Sequence, residues 1–92
     1  MSDPAKEIDL LVEQMDEESR RSRIEVRDQI AFEKRAQKKV DEMYRNTERW
    51  RQHAERAVMA GDDDLDREAL GRQKEAEKQL EAAERVLAEH SQ

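Results

Sequence analysis

The chain has no cysteine among its 92 residues. That excludes disulfide staples and thiolate chemistry, and it fits a reducing compartment. Proline occurs once, at Pro4, and glycine twice, at Gly61 and Gly71. A chain with so few breakers has little turn chemistry to spend. The aromatics are only Phe32, Tyr44 and Trp50, and hydrophobic residues make up 35% of the chain. A thick globular core is therefore out of reach. No apolar run is long enough to span a bilayer, and no secretory leader is expected. The net charge of −6 argues against a nucleic-acid binder, which needs a concentrated basic surface.

What remains is charge, at 46% of residues, laid over a regular apolar spacing. Asp3-Pro4 reads as a helix start, with Asp3 as cap and Pro4 at the first helical position, where no amide bond is lost. From Ile8 a seam advances in alternating steps of four and three residues. It runs through Val12, Met15, Ser19, Ser22, Val26, Gln29, Glu33, Ala36, Val40, Met43, Thr47, Trp50, Ala54 and Ala57. This is an unbroken heptad register. No glycine or proline interrupts it between Ala5 and Ala60, which predicts one helix of roughly 80 Å at the standard rise.

Gly61 ends that helix, because a residue without Cβ closes a helix C-terminus in the left-handed conformation. Asp62, Asp63 and Asp64 follow. Their carboxylates suit the free amides and positive dipole end of a new helix. They lack the alternation and the fixed glutamate of a calcium loop.

A second helix is expected over 63–89. Its apolar positions are Leu65, Ala69, Ala76, Leu80, Ala83 and Leu87. Leu65, Ala76 and Leu87 are spaced by eleven residues, as are Ala69 and Leu80, which predicts nearly straight packing. Gly71 is expected to admit close approach of the backbone to Trp50.

Folding the second helix back about Gly61 makes facing residue numbers sum to about 123. The seam then pairs Val58 with Leu65, Ala54 with Ala69, Thr47 with Ala76, Met43 with Leu80, Val40 with Ala83, and Ala36 with Leu87, with Trp50 also packed in it. The apolar spacing of each arm is independent of the other, and the two agree. Lys and Arg outnumber Asp and Glu between Glu33 and Ala60, and the acids prevail from Gly61 onward, so the two arms attract.

The predicted fold is all-α: a long antiparallel coiled-coil helical hairpin over 1–92. It comprises a helix at 4–59, a turn at 60–62 and a helix at 63–89, the first about twice the length of the second. The return arm does not reach past about Glu33. Ile8, Leu11, Val12, Met15, Val26, Ile30 and Phe32 are then left as an unpartnered stripe, which is expected to be an assembly surface. The very polar stretch Glu17 to Arg23 argues instead for a frayed helix, and the assembly reading is preferred.

No chemistry competes with this reading. His53 and His90 lie on different arms without a ligand cluster, so no metal is expected. There is no nucleophile motif and no glycine-rich phosphate loop. A bare hairpin encloses no pocket. No catalytic residue, cofactor or small-molecule substrate is expected. Arg20, Arg21, Arg23 and Arg27 form a basic cluster that would suit anionic lipid or an acidic neighbouring subunit. Asp16, Glu17, Glu18, Glu25 and Asp28 surround it, and a solvated face is the preferred reading.

The chain resembles the phage shock protein A family, which includes the plastid vesicle-inducing proteins and belongs with the ESCRT-type membrane-remodelling superfamily. The resemblance is carried by Asp3-Pro4, Met15 with its following acids, Val26-Arg27, and the alanine-and-lysine stretch around Ala31 to Lys39. It continues in the ordered series Trp50, Ala54, Ala57, Gly61, Asp64-Leu65, Arg67 and Ala69-Leu70. It covers almost all of this chain and less than half of a typical family member. It implies a hairpin whose subunits stack into rods, rings or helical scaffolds at bacterial or plastid inner membranes. Partners would be further copies or full-length members, an anionic membrane surface contacted indirectly, and in some members an enhancer-binding ATPase activator. The implied location is cytoplasmic, peripheral at the inner face of the membrane.

The chain departs from the family pattern in three ways. The short amphipathic helix that opens family members and the later helices that lock subunits are not expected within these 92 residues. Ser19 and Ser22 are polar where the seam should be apolar. The expectation is a hairpin fragment or a short relative, acting as a structural scaffold element or, alternatively, as a regulatory module that docks a partner.

Overall fold

The computed structural model describes residues 3–90. The fold is all-α, with two helices: α1, Pro4–Met59, and α2, Asp63–His90. They hold 56 and 28 residues. Asp3 caps α1, its Oδ1 accepting the Ala5 amide at 3.0 Å. This uses a free first-turn donor at the end where negative charge is favoured.

The reversal is built from backbone bonds. Gly61 sits at φ +69°. The Gly61 amide donates to the Val58 carbonyl and the Asp62 amide to the Ala57 carbonyl, each at 3.0 Å. That crossed pair is a Schellman motif, which satisfies carbonyls the helix end leaves free. Asp62 also opens α2, with its Oδ1 accepting the Leu65 amide at 3.0 Å. One residue thus closes α1 and caps α2, which is why the connection is so short.

The chain divides into two compact units, Met1–Phe32 and Glu33–Gln92. In the second, α2 packs against the latter part of α1. The α1 positions that lose solvent are Glu33, Ala36, Val40, Met43, Thr47, Trp50, Ala54 and Ala57, together with flanking Asn46 and Glu48. On α2 they are Asp66, Ala69, Gln73, Ala76, Leu80, Ala83 and Leu87. Both rows step by three and four, the spacing of heptad packing.

The core is narrow. Its buried members are six alanines, Ala36, Ala54, Ala57, Ala69, Ala76 and Ala83, and no large side chain in the described residues is fully buried. Val40, Met43, Thr47, Trp50, Leu80 and Leu87 are half-buried beside them. Thr47 is tolerated in the seam because its Oγ1 donates to the Met43 carbonyl at 2.9 Å, inside its own helix.

Three expectations require correction. Val58 and Leu65 do not meet in the seam; they are 62% and 50% exposed. Ala57 and Asp66 occupy the last layer before the turn instead. The eleven-residue steps hold for Ala69 with Leu80 and for Ala76 with Leu87, all removed from solvent, but the row continues through Asp66 rather than Leu65. Asp66 and Gln73 drop out of any count of apolar residues, and Leu65 stands one position off the row. Gly71 does not serve close approach: a Cβ built there meets nothing within 4 Å.

Asp66 carries a cost. Its Oδ1 is buried and has no hydrogen-bond partner, and an unsatisfied buried acceptor loses about 1–3 kcal/mol. Substituting Asp66→Leu should raise the melting temperature, since the apolar side chain enters beside Ala54 and Val58, which line the same groove. Gly61→Ala should move stability the other way, by about 1 kcal/mol. No atom lies within 4 Å of the new Cβ, so the penalty is that of the left-handed backbone alone. Thermal and urea unfolding followed by circular dichroism measures both.

Candidate assembly surface

Every described residue of the first unit from Asp3 to Ile30 is exposed. The helix forms there because its cap is satisfied and its sequence contains strong helix formers, not because a core holds it. Ile8, Leu11, Val12 and Met15 recur at spacings that place them on one face, and Val26 and Ile30 continue it. All six stand between 48% and 62% exposed. They form two apolar clusters on that face, one from Ile8 to Met15 and one of Val26 and Ile30.

Phe32 differs from the expectation: it is half-buried rather than exposed. Leu10 and Ile24 were missed by the seam reading and are also exposed, at 56% and 42%. They lie off the heptad row, on the flank opposite Val12 and Val26, so a single-stripe pattern passes over them.

Between the two apolar clusters the helix is held by its own charges. Arg20 and Arg21 both reach Glu17, at 3.3 and 3.6 Å, and Arg27 lies 3.7 Å from Asp28. These groups are largely solvated, so each pair contributes a few tenths of a kcal/mol. Arg20, Arg23 and Arg27 share one face with Ile24 and line a shallow cleft there. Arg21 projects elsewhere.

In the second unit, Trp50 takes its place in the seam with two polar neighbours. The Arg72 guanidinium from α2 lies 5.1 Å from its ring centroid, and the His53 ring lies 5.3 Å away. The cation over the ring ties the two arms. Arg51 is bracketed by Glu48 and Glu55. Hydrogen bonding to Glu48, then the charges of Glu48 and Glu55, push its already high pKa upward.

An apolar groove near the turn is lined by Ala54, Val58, Met59 and Leu70, with Arg51 and Glu55 at its rim. Among the described residues no group of His, Cys, Asp or Glu is placed to hold a metal ion. No helix among them is long and apolar enough to cross a membrane.

The residues that carry the family resemblance fall on this frame, with Asp3-Pro4 at the start of α1, Gly61 at the reversal, and Asp64-Leu65, Arg67 and Ala69-Leu70 in the first turns of α2. The model of the PspA/IM30 family matches residues 1–92. The chain belongs to the PspA/IM30 family. This is a family of membrane-associated stress-response scaffolds, structural rather than enzymatic, whose members self-assemble. Comparison with curated proteins and with solved structures gives no match.

The difference in packing between the units has a direct consequence. Amide hydrogen exchange should be far faster across residues 4–30 than across 40–57, because the first stretch opens without breaking tertiary contacts. Met15→Glu should leave protection of residues 40–57 unchanged. Loss of protection there would show that the first unit supports the hairpin.

Proposed function

We propose that this chain is a non-catalytic coiled-coil structural protein of the phage shock protein A type. It contributes its hairpin to an oligomeric, membrane-associated scaffold that serves membrane stress response and membrane maintenance or remodelling. The observation that carries this reading is the unpartnered stripe of Ile8, Leu11, Val12, Met15, Val26 and Ile30 on a helix whose every described neighbour is solvated. Burying such side chains is worth about 1.5–3 kcal/mol each, which is ample to drive association once several are covered. The hairpin acts as the stiff body and the first unit as the connector to other copies or to longer family members. The site of action is the cytoplasmic side, peripheral at the membrane, with anionic lipid contacted indirectly.

A second reading rests on the groove near the turn. Val58, Met59 and Leu70 are exposed there beside Arg51 and Glu55. That groove suits a regulatory module that docks a protein such as an enhancer-binding ATPase activator.

Light scattering coupled to size exclusion, with electron microscopy of the same sample, tests the first reading. The expected result is a mass that rises with concentration, with rods or rings, and a rise that is abolished by Met15→Glu combined with Val26→Glu. A fixed monomer mass at all concentrations would count against it. Co-sedimentation with anionic vesicles separates the readings: lipid-dependent pelleting favours the scaffold, and capture of an activator without lipid favours the docking module.

A further inference from the structure

We infer that the acidic first stretch of α1, residues 4–18, docks on the hairpin of a second copy, in the groove beside Lys39 at the end away from the turn. The inference rests on the assembly reading above and names the surface that covers the first apolar cluster.

The groove lies between the two arms. Ala36 and Ala83 form its buried floor, with Met43 half-buried beside them. Lys39 stands exposed on the α1 rim, and Ala82 and Val86 stand exposed on the α2 rim. Alanine explains the shape. With so little side chain at Ala36, Ala82 and Ala83, the arms leave a furrow that nothing in the hairpin fills. A furrow between two helices takes the side-chain ridge of a third.

Charge along this groove is one-sided. Lys39 and Arg35 lie one turn apart on the same rim, and Lys34 and Lys38 complete a run, 34–39, with four cations and no carboxylate. Glu42, one turn beyond, ends the basic rim. Among the described residues none of the four cations is in an ion pair. The α2 residues that border the groove, Gln79, Ala82 and Val86, carry no charge, so the hairpin does not neutralise this rim itself.

The first stretch of α1 is the matching surface. Ile8, Leu11, Val12 and Met15 follow the i, i+3, i+4, i+7 spacing of one helix face. At 3.6 residues per turn, Asp9 and Asp16 border that face on one side, and Glu7 and Glu18 on the other. From Asp3 to Glu18 there are seven carboxylates and one lysine, and among the described residues only Glu17 of these acids is in an ion pair. An apolar face with acids on both borders fits an apolar floor with a basic rim whichever way the docked helix runs. Exposed pairs are weak singly, so burial of the apolar face supplies the strength and charge selects the groove. The groove near the turn suits this occupant less, because Glu55 and Asp66 line it and Arg51 is already bracketed. Laying one such stretch on another sets carboxylates against carboxylates.

The contact is heterologous. Each copy presents one stripe and one groove, so copies join head to tail, and growth is open-ended or closes into a ring according to the rotation per step.

Two variants separate the surfaces. Val12→Glu with Met15→Glu removes the stripe, and Ala82→Glu fills the groove with a carboxylate that answers Lys39. All three positions are exposed, and circular dichroism checks that each variant keeps its hairpin. By light scattering, each variant alone should hold the mass of one chain at concentrations where the unaltered chain grows. Their equal mixture should reach twice that mass and stop there, because one intact stripe meets one intact groove. Raising salt from low to physiological strength should lower the doubled fraction several-fold. Adding Lys39→Glu to the chain with Val12→Glu and Met15→Glu should do the same.

A mixture that stays at the mass of one chain, while the unaltered chain still grows, would overturn the inference and leave the assembly reading standing. Growth of the Ala82→Glu chain equal to that of the unaltered chain would overturn it in the same way, by placing assembly on another face. A doubled fraction indifferent to Lys39→Glu would overturn the placement beside Lys39. No growth of the unaltered chain at any concentration would mean that the assembly reading itself fails, and the inference with it.

Discussion

Six alanines form the contact on which the hairpin depends. A small side chain at a heptad position lets two helices lie close, and the half-buried Val40, Met43, Trp50, Leu80 and Leu87 then fill the space beside it. Such a seam is long and thin. It buries little apolar surface per residue, so the pairing must run the full length of the return arm to be stable. It also leaves nowhere inside for the remaining large apolar residues. Val58, Met59, Leu65 and Leu70 stay outside near the turn, and Ile8, Leu11, Val12 and Met15 stay outside in the first unit. The exposed apolar surface and the alanine core are two sides of one constraint.

The turn serves the same constraint. A loose loop would let the arms slide by a heptad with little change in apolar contact, since alanine layers resemble one another. The Schellman bonds from Gly61 and Asp62, with the Asp62 cap on α2, fix the first layer after the reversal. Trp50 fixes a second point farther along. It is the one large aromatic in the seam, and Arg72 lies over it. Polar Asp66 and Gln73 lower the stability of the row, yet they also make its layers distinguishable, so a shifted register would set them against the wrong partners.

Within the PspA/IM30 family, this chain couples a body that is finished with a segment that is not. The second unit has its seam, its caps and its cross-arm contact to Trp50. The first unit has a satisfied helix start, local ion pairs from Glu17 to Arg20 and Arg21, and an apolar face without cover. A stiff hairpin that presents an uncovered helix is suited to building larger structures by lateral contact, because each contact leaves the hairpin intact. The acids that precede Ser19 and the arginines that follow it give the helix a direction, which an apolar stripe alone lacks.

Sequence alone determined the helices, the reversal and most of the seam. Those features are written in local chemistry: Asp3-Pro4 for the start, Gly61 for the left-handed turn, the aspartates for the next cap, and a three-four spacing unbroken by glycine or proline. The sequence also proposes a register for the arms, with the fold point at Gly61 and the rest following from the seam spacing. The last layer was not legible. The heptad row of the first helix already ended on Ala57, but matching apolar residues across the turn placed Val58 and Leu65 in the last layer, whereas Ala57 and Asp66 lie there and the larger pair faces solvent. Only the tertiary structure decided this, since the tight reversal sets which face of each first turn points inward, and position on that face outweighs side-chain hydrophobicity. The same geometry gave Arg72 its place over Trp50 and left Gly71 in open space, two outcomes that depend on how the arms lie side by side and not on either helix taken singly.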